Sequence, residues 1–180
     1  RDALKVASTY YPNWDQELAD RLVKAFKLDL KKNYKSLSLG MKSQLGIIVG
    51  LASRAPLTIF DEPYIGLDAP GRQLFYDLLL EEYGDKPRTI ILSTHLIDEV
   101  ANLFEEVIIL EQGSVKLIDE TEKIKEKAFF ISGSQGEVER RVKGKQVIYR
   151  DTLGKTAVAG VYDRLTQEEL GSMEAAGLEV

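Results

Sequence analysis

Several residue types and features are scarce or missing in this sequence. Its 180 residues include no cysteine, which excludes disulfides and thiolate metal sites and suits a reducing cytoplasm, and they include one histidine. The most apolar stretch, 45–52, is too short to span a bilayer and is broken by Gly46 and Gly50. The net charge of −5 argues against non-specific nucleic-acid binding, which needs a basic surface. With 44% hydrophobic and 29% charged residues, the composition is typical of a globular protein.

The first zone of the chain, residues 1–37, is predicted to be helical. Pro12 ends any earlier helix, and Asn13 is the expected cap of the next one. The apolar face of that helix carries Leu18 and Leu22, at a spacing typical of an amphipathic helix.

The second zone, 38–119, alternates predicted strands with predicted helices. The predicted strands are 57–60, 89–92, 107–110 and a hairpin partner at 115–118; the predicted helices are 38–52, one starting at Asp68 with Pro70, and 96–104. The run 57–60 is apolar throughout, which indicates a strand that is buried on both faces. Alternating strands and helices predict an α/β fold with a parallel sheet.

The third zone, 126–180, shows the order strand, helix, two strands, helix, strand. This βαββαβ order predicts a small α+β accessory domain with a ferredoxin-like fold. We therefore predict two domains, 1–125 and 126–180, and we divide the first into a helical part, 1–55, and a sheet part, 56–125.

Charged and polar residues follow two of the predicted strands. Asp61 and Glu62 end the first strand, and His95 follows the second, so all three belong to the carboxyl edge of the sheet, where ligands bind in open α/β folds. An aspartate there could hold Mg²⁺, and a glutamate could orient or deprotonate a water that attacks a phosphate. The alternative, a polar strand exit without chemistry, stays open on these residues alone.

Helix starts supply a second set of candidates. Ser38 and Gly40 lie at the beginning of a predicted helix, where free backbone N–H groups favour an anion and glycine permits its close approach. Asp68 follows a Gly66 turn and could cap the next helix. An ordinary helix cap is the alternative for each.

Taken in order along the chain, these motifs resemble those of the ATPase subunits of ABC transporters. The stretch 37–41 resembles the signature motif, 57–61 resembles Walker B with Glu62 as the catalytic glutamate, 66–68 resembles the D-loop, and His95 resembles the switch histidine. The resemblance covers about residues 1–119 and implies a P-loop NTPase fold, ATP and Mg²⁺ as cofactors, and ATP hydrolysis by the intact subunit.

The resemblance also implies residue roles. Glu62 and His95 would be catalytic, Asp61 would hold the metal, and the nucleotide would contact Asp68 and the signature residues, which are Ser38, Leu39, Gly40 and Met41. Leu39 stands where the family usually has glycine, and Met41 where it often has glutamine. The Leu-Gly-Met wording is similar to bacterial exporter-type ATPases, including those linked to antimicrobial resistance.

One part of the family pattern is missing. The sequence contains no Gly-x-x-x-x-Gly-Lys-Ser/Thr P-loop, the motif that cradles the phosphates, and no glutamine loop before the helical zone. The chain does not begin with methionine and ends on what looks like the first residues of a strand, so we expect truncation at both ends. Without a P-loop, we expect poor ATP binding by these 180 residues alone.

The resemblance implies particular partners as well. In the family, two ATPase subunits sandwich ATP head to tail, so we expect a second ATPase subunit and a transmembrane permease as partners, and no nucleic acid. The expected location is cytoplasmic, on the inner face of the cell membrane through the permease. Two alternatives are a non-transport ABC-type ATPase and a non-catalytic remnant that binds a partner ATPase or a membrane subunit.

Overall fold

The computed structural model describes residues 2–100 and 102–180, and it begins with three α-helices before the first strand. The helices are Asp2–Tyr10 (α1), Gln16–Ala25 (α2), Leu39–Ala52 (α3), Ala69–Asp85 (α4), Ile97–Val100 (α5), Thr121–Lys127 (α6), Gln135–Val142 (α7) and Gln167–Ala175 (α8). The strands are Leu57–Asp61 (β1), Thr89–Ser93 (β2), Glu106–Glu111 (β3), Ser114–Glu120 (β4), Ala128–Ser134 (β5), Val147–Leu153 (β6) and Thr156–Tyr162 (β7).

The chain divides into two compact units between Leu103 and Phe104. We call them the amino-terminal unit and the carboxy-terminal unit. The division falls before β3, so the β3–β4 hairpin belongs to the carboxy-terminal unit. The predicted domains 1–125 and 126–180, with the inner division at residue 55, place the boundary later in the chain and stay a prediction.

Side-chain caps start three helices of the amino-terminal unit. Ser38 accepts a hydrogen bond from the Met41 N–H at the start of α3, and Asp68 caps α4, as predicted. The predicted Asn13 cap is wrong, because Asp15 accepts the bond from the Leu18 N–H that starts α2. Residues 11–14 form a turn before it, closed by a bond from the Trp14 N–H to the Tyr11 carbonyl.

Strands β1 and β2 pair in parallel with a regular register from Leu57 opposite Thr89 to Asp61 opposite Ser93. Thr58 and Phe60 are buried on one face of β1. The Phe60 ring packs edge to face on the ring of Phe75 in α4, with 5.5 Å between the ring centroids. The prediction that β1 is buried on both faces is wrong, because Leu57 and Ile59 are 50% and 63% exposed on the other face.

The parallel pairing that the structure describes is limited to β1 and β2. Strand β3 pairs antiparallel with β4, so it forms the predicted hairpin and a separate two-stranded sheet. The helix predicted at 96–104 is found only as Ile97–Val100, and residue 101 lies outside the described residues.

The carboxy-terminal unit contains a second antiparallel sheet with the order β5-β7-β6. Its buried core lies between this sheet and α7 and α8; it comprises Ile131, Val138, Val142, Ala157, Ala159, Val161, Met173 and Leu178. The predicted last strand is a single bridge between Ser132 and Glu179. The order of elements matches the prediction, and the ferredoxin-like assignment stays a prediction.

Within the described part of the chain, no helix combines the length and the apolar character needed to cross a bilayer.

Candidate functional site

The parallel register places the polar ends of β1 and β2 side by side. Asp61 is paired with Ser93, and the Ser93 hydroxyl donates to Asp61 Oδ1 at 2.5 Å. The same Ser93 oxygen accepts a bond from the Glu62 N–H at 3.0 Å. A single serine therefore fixes an exposed aspartate and the backbone of the next residue at the carboxyl edge of the sheet.

The side chains of Glu62 and His95 are hydrogen-bonded to each other at this edge. His95 Nδ1 lies 2.9 Å from Glu62 Oε1 and 3.0 Å from Oε2. The carboxylate accepts the bond, so the His95 Nδ1–H donates and leaves Nε2 for a ligand or a water. The two residues lie close together, as expected for parallel strands that end at the same edge of a sheet. The catalytic roles assigned to them remain predictions.

The backbone of Glu62 adopts an unusual conformation. Its φ is 44°, in the left-handed region, which costs a residue with a side chain about 1 kcal/mol or more. Bonds to the backbone N–H and to both carboxylate oxygens hold the residue there. Strained residues held by their surroundings occur often at functional sites, so this conformation supports a chemical role for Glu62.

Hydrogen bonds also set the ionisation of this carboxylate. The bonds from His95 and then from the Tyr64 hydroxyl hold the pKa of Glu62 below its usual value. Burial, followed by the contact with Glu62, raises the pKa of the Tyr64 phenol. Glu62 is therefore ionised and able to accept a proton or orient a water, while Tyr64 keeps its proton.

Tyr64 is a member of the site that the sequence analysis did not identify. Its side chain is 3% exposed, and its hydroxyl contacts Glu62 Oε2, Thr94 Oγ1 at 2.7 Å and the His95 N–H at 3.1 Å. The available signal in the sequence was an aromatic residue two positions after a candidate catalytic acid.

The second set of candidates lies at the amino terminus of α3. Ser38 and Leu39 are exposed, and Gly40 and Met41 are partly exposed. The Ser38 oxygen accepts the Met41 N–H at 3.3 Å, so the serine caps its own helix and retains its hydroxyl proton as a donor. The first backbone N–H groups of a helix have no partner within the helix, and such an end favours an anion.

Gly40 is required for a reason that the sequence analysis did not anticipate. A Cβ added to Gly40 would meet the Gly66 carbonyl, and one added to Gly66, where φ is 79°, would meet the Gly40 nitrogen. The Ser43 hydroxyl also donates to the Ile65 carbonyl at 2.6 Å. The turn after β1 is thus packed directly on the start of α3.

Asp68 ends this turn and caps α4. Its Oδ1 accepts the Gly71 N–H at 2.9 Å. Its capping role is observed, whereas its predicted contact with a nucleotide remains a prediction.

The residues at the carboxyl edge of the sheet could bind Mg²⁺ only if a phosphorylated ligand and waters supplied further oxygen atoms. Across the described residues, no three His, Asp or Glu side chains are grouped so that they could hold a metal ion. Mg²⁺ often binds through one carboxylate together with waters and phosphate oxygens, and exposed Asp61 fits that use.

The edge of the sheet thus combines an oriented aspartate with a hydrogen-bonded Glu62–His95 pair. A family model described as "AAA domain, putative AbiEii toxin, Type IV TA system" matches residues 2–101, more than half of the chain. The chain therefore belongs to this AAA-domain family.

The more specific similarity is to ABC transporter ATP-binding proteins. The chain is 28% identical over 116 residues to the ABC transporter ATP-binding protein YtrB of Bacillus subtilis (strain 168), covering 64% of this chain and 40% of YtrB.

Solved structures agree with this similarity. A structure titled "Structure of ATP binding subunit of ABC transporter" has a TM-score of 0.61 and 27% identity, covering 69% of this chain and 53% of that one. For the dimeric MJ0796, a bacterial ABC transporter cassette, the TM-score is 0.53 at 24% identity, covering 66% and 54%, which shows the fold alone. The fold is that of an ABC ATPase cassette, and the chain spans about half the length of these proteins or less.

Proposed function

We propose that this chain is part of the ATP-hydrolysing subunit of an ABC transporter and supplies the catalytic edge of its nucleotide site. The observation that carries the proposal is the Glu62–His95 pair, which lies beside Asp61 at the carboxyl ends of two parallel strands. Glu62 orients the attacking water and accepts its proton, and His95 holds that carboxylate in place.

Asp61 is the residue that would hold Mg²⁺ at this edge. The metal, when bound, neutralises charge on the phosphate oxygens. The Ser93 hydroxyl fixes the Asp61 carboxylate through Oδ1, so the aspartate is oriented before any ligand arrives.

The exposed start of α3 is proposed to act on a nucleotide held by a second ATPase subunit. Ser38 offers a hydroxyl donor there, together with the first-turn N–H groups. The dimeric form described for MJ0796 supports a partner of the same kind. The other proposed partner is a transmembrane permease. Binding to it would hold the subunit on the cytoplasmic side of the cell membrane, at the inner face.

A phosphate cradle is proposed to come from a part of the protein outside these 180 residues. The sequence has no P-loop, and YtrB is more than twice as long as the stretch that matches it. One face of β1 and β2 exposes the apolar side chains of Leu57, Ile59 and Ile91. An exposed apolar face of this kind favours packing against a further part of the protein.

Glu62→Gln in the full-length protein tests this proposal. We expect the steady-state rate of ATP hydrolysis to fall by about a hundredfold or more, since general-base catalysis contributes on that order. ATP binding should be retained, because the change keeps the shape of the side chain. Glu111→Gln is a matched control, because Glu111 also ends a strand and is 59% exposed. Unchanged turnover in Glu62→Gln would show that Glu62 is not the catalytic residue.

The absence of a cradle can be tested on the chain itself. Isothermal titration of these 180 residues with Mg-ATP should give no binding at micromolar concentrations. A micromolar dissociation constant would contradict the proposal that the cradle lies elsewhere.

A further inference from the structure

The Tyr64 hydroxyl is a junction of three hydrogen bonds in an almost fully buried position. The side chain is 3% exposed, and it follows the buried Pro63 directly after the acidic pair. The hydroxyl contacts a carboxylate oxygen of Glu62, the Thr94 hydroxyl at 2.7 Å and the backbone N–H of His95 at 3.1 Å. One phenol therefore touches groups of both strand ends that form the site.

The direction of each bond follows from the number of protons available. A phenol has one proton, and the Glu62 carboxylate can only accept, so the Tyr64 O–H donates to Glu62. Because that single proton is used, the Thr94 hydroxyl donates to the Tyr64 oxygen at 2.7 Å, while its own oxygen accepts the Leu96 N–H at 2.9 Å. The His95 N–H donates to the same oxygen, so all bonding positions of the phenol are used.

This arrangement constrains both partners of the Glu62–His95 pair. Tyr64 holds Glu62 Oε2 and the backbone of His95, while the His95 ring holds the carboxylate from the other side. The Tyr64 and His95 rings also meet edge to face at 5.9 Å. The Glu62 carboxylate is thus held on both oxygens, by Tyr64 and by His95.

We propose that Tyr64 is a positioning residue of this site, whose buried hydroxyl fixes the Glu62 carboxylate and His95 in their working geometry. This proposal rests on the proposed function, because the geometry is assigned to ATP hydrolysis. The bond from Tyr64 to Glu62 orients the carboxylate and does not itself contact the nucleotide. Its loss should therefore lower turnover much more than nucleotide affinity.

Tyr64→Phe in the full-length protein removes the hydroxyl and keeps the ring. We expect kcat for ATP hydrolysis to fall roughly tenfold to a hundredfold, the range for a bond to a charged group, with KM changed less than about twofold. The matched control is Tyr76→Phe, because Tyr76 is also 3% exposed and its hydroxyl lies 3.5 Å from a carboxylate oxygen of Glu99. The control should keep kcat within about twofold of wild type.

A double variant separates positioning from a general structural effect. In a Glu62→Gln background, Tyr64→Phe should cause no further loss of activity, because the residue acts through Glu62. An equal loss in both backgrounds, or a kcat for Tyr64→Phe within about twofold of wild type, would overturn the proposal.

A spectroscopic readout decides the role of Tyr64 even if the proposed function fails. That failure would appear as equal ATP hydrolysis by wild type and Glu62→Gln. The imidazole ¹⁵N signals of His95, assigned with a His95→Gln variant, should show the Nδ1–H form in wild type and a shift toward Nε2–H in Tyr64→Phe but not in Tyr76→Phe. Identical His95 signals in wild type and Tyr64→Phe would overturn the positioning role.

Discussion

Substitution by alanine should destabilise helix α3 at two of its three glycines, Gly40 and Gly50, and should be tolerated at Gly46. Gly40→Ala places a Cβ 2.2 Å from the Gly66 carbonyl oxygen, whereas ordinary van der Waals contact begins near 3.4 Å. The turn or the helix must therefore move by more than about 1 Å. The turn is not free to do so, because the Ser43 hydroxyl holds the neighbouring Ile65 carbonyl.

The expected cost follows from this overlap. Overpacking against backbone typically lowers the free energy of unfolding by about 1–3 kcal/mol, and we expect Gly40→Ala to fall in that range. Gly46→Ala is the matched control, since a Cβ there meets nothing within 4 Å in the described part of the chain. It should raise stability by roughly 0.5–1 kcal/mol, because alanine favours a helix interior over glycine.

Gly50→Ala extends the series to the core. Its Cβ would lie 2.5 Å from the ring of Phe60, which is buried and packed on Phe75. We expect destabilisation comparable to that of Gly40→Ala, because the ring cannot rotate away without losing that contact.

Urea unfolding followed by tryptophan fluorescence measures all three changes. Trp14 is the only tryptophan of the sequence and lies in the amino-terminal unit, so its signal reports the unit that contains α3. If Gly40→Ala unfolds at the same urea concentration as wild type, or at a higher one, the close packing of Gly40 on Gly66 is refuted. A destabilised Gly46→Ala would show instead that the helix itself rejects the substitution.

Two further predictions concern charged groups. Arg54→Ala should lower the stability of the amino-terminal unit by about 1–3 kcal/mol in the same urea assay. The change removes the cation 2.8 Å from Glu82 Oε2, in a carboxylate that is 3% exposed, whereas Arg21 still pairs with Oε1. Unchanged stability would contradict this. In the carboxy-terminal unit, bonds from the Thr166 N–H and then from Lys145 hold the pKa of Glu169 at about 2, below its usual 4.5. Because this pKa is depressed on folding, the stabilisation is present above about pH 4.5 and is lost as the pH falls toward 2. Thermal unfolding of Glu169→Gln should therefore depend less on pH in this window than that of wild type, and equal profiles would refute the linkage.

The sequence alone determined the features that depend on a few neighbouring residues. Ser38 and Asp68 were predicted as caps because the interaction of a cap side chain spans only three residues. The proximity of Glu62 and His95 was also predictable, since parallel strands end at the same edge of a sheet.

Tertiary structure decided what depends on turns and on partners far along the chain. Asp15 rather than Asn13 became the cap because a turn over residues 11–14 delays the start of α2. The exposed face of β1 could not be predicted from its composition, because an apolar run does not show which face has a neighbour.

Two contacts of the site join residues that are far apart in the sequence. Gly40 and Gly66 are 26 positions apart, and Tyr64 and Thr94 are 30 positions apart. The backbone is left-handed at Glu62 and at Gly66, in the turn that carries Tyr64. The pattern of residues predicted which chemistry is present, and only the path of the folded chain decided which groups orient it.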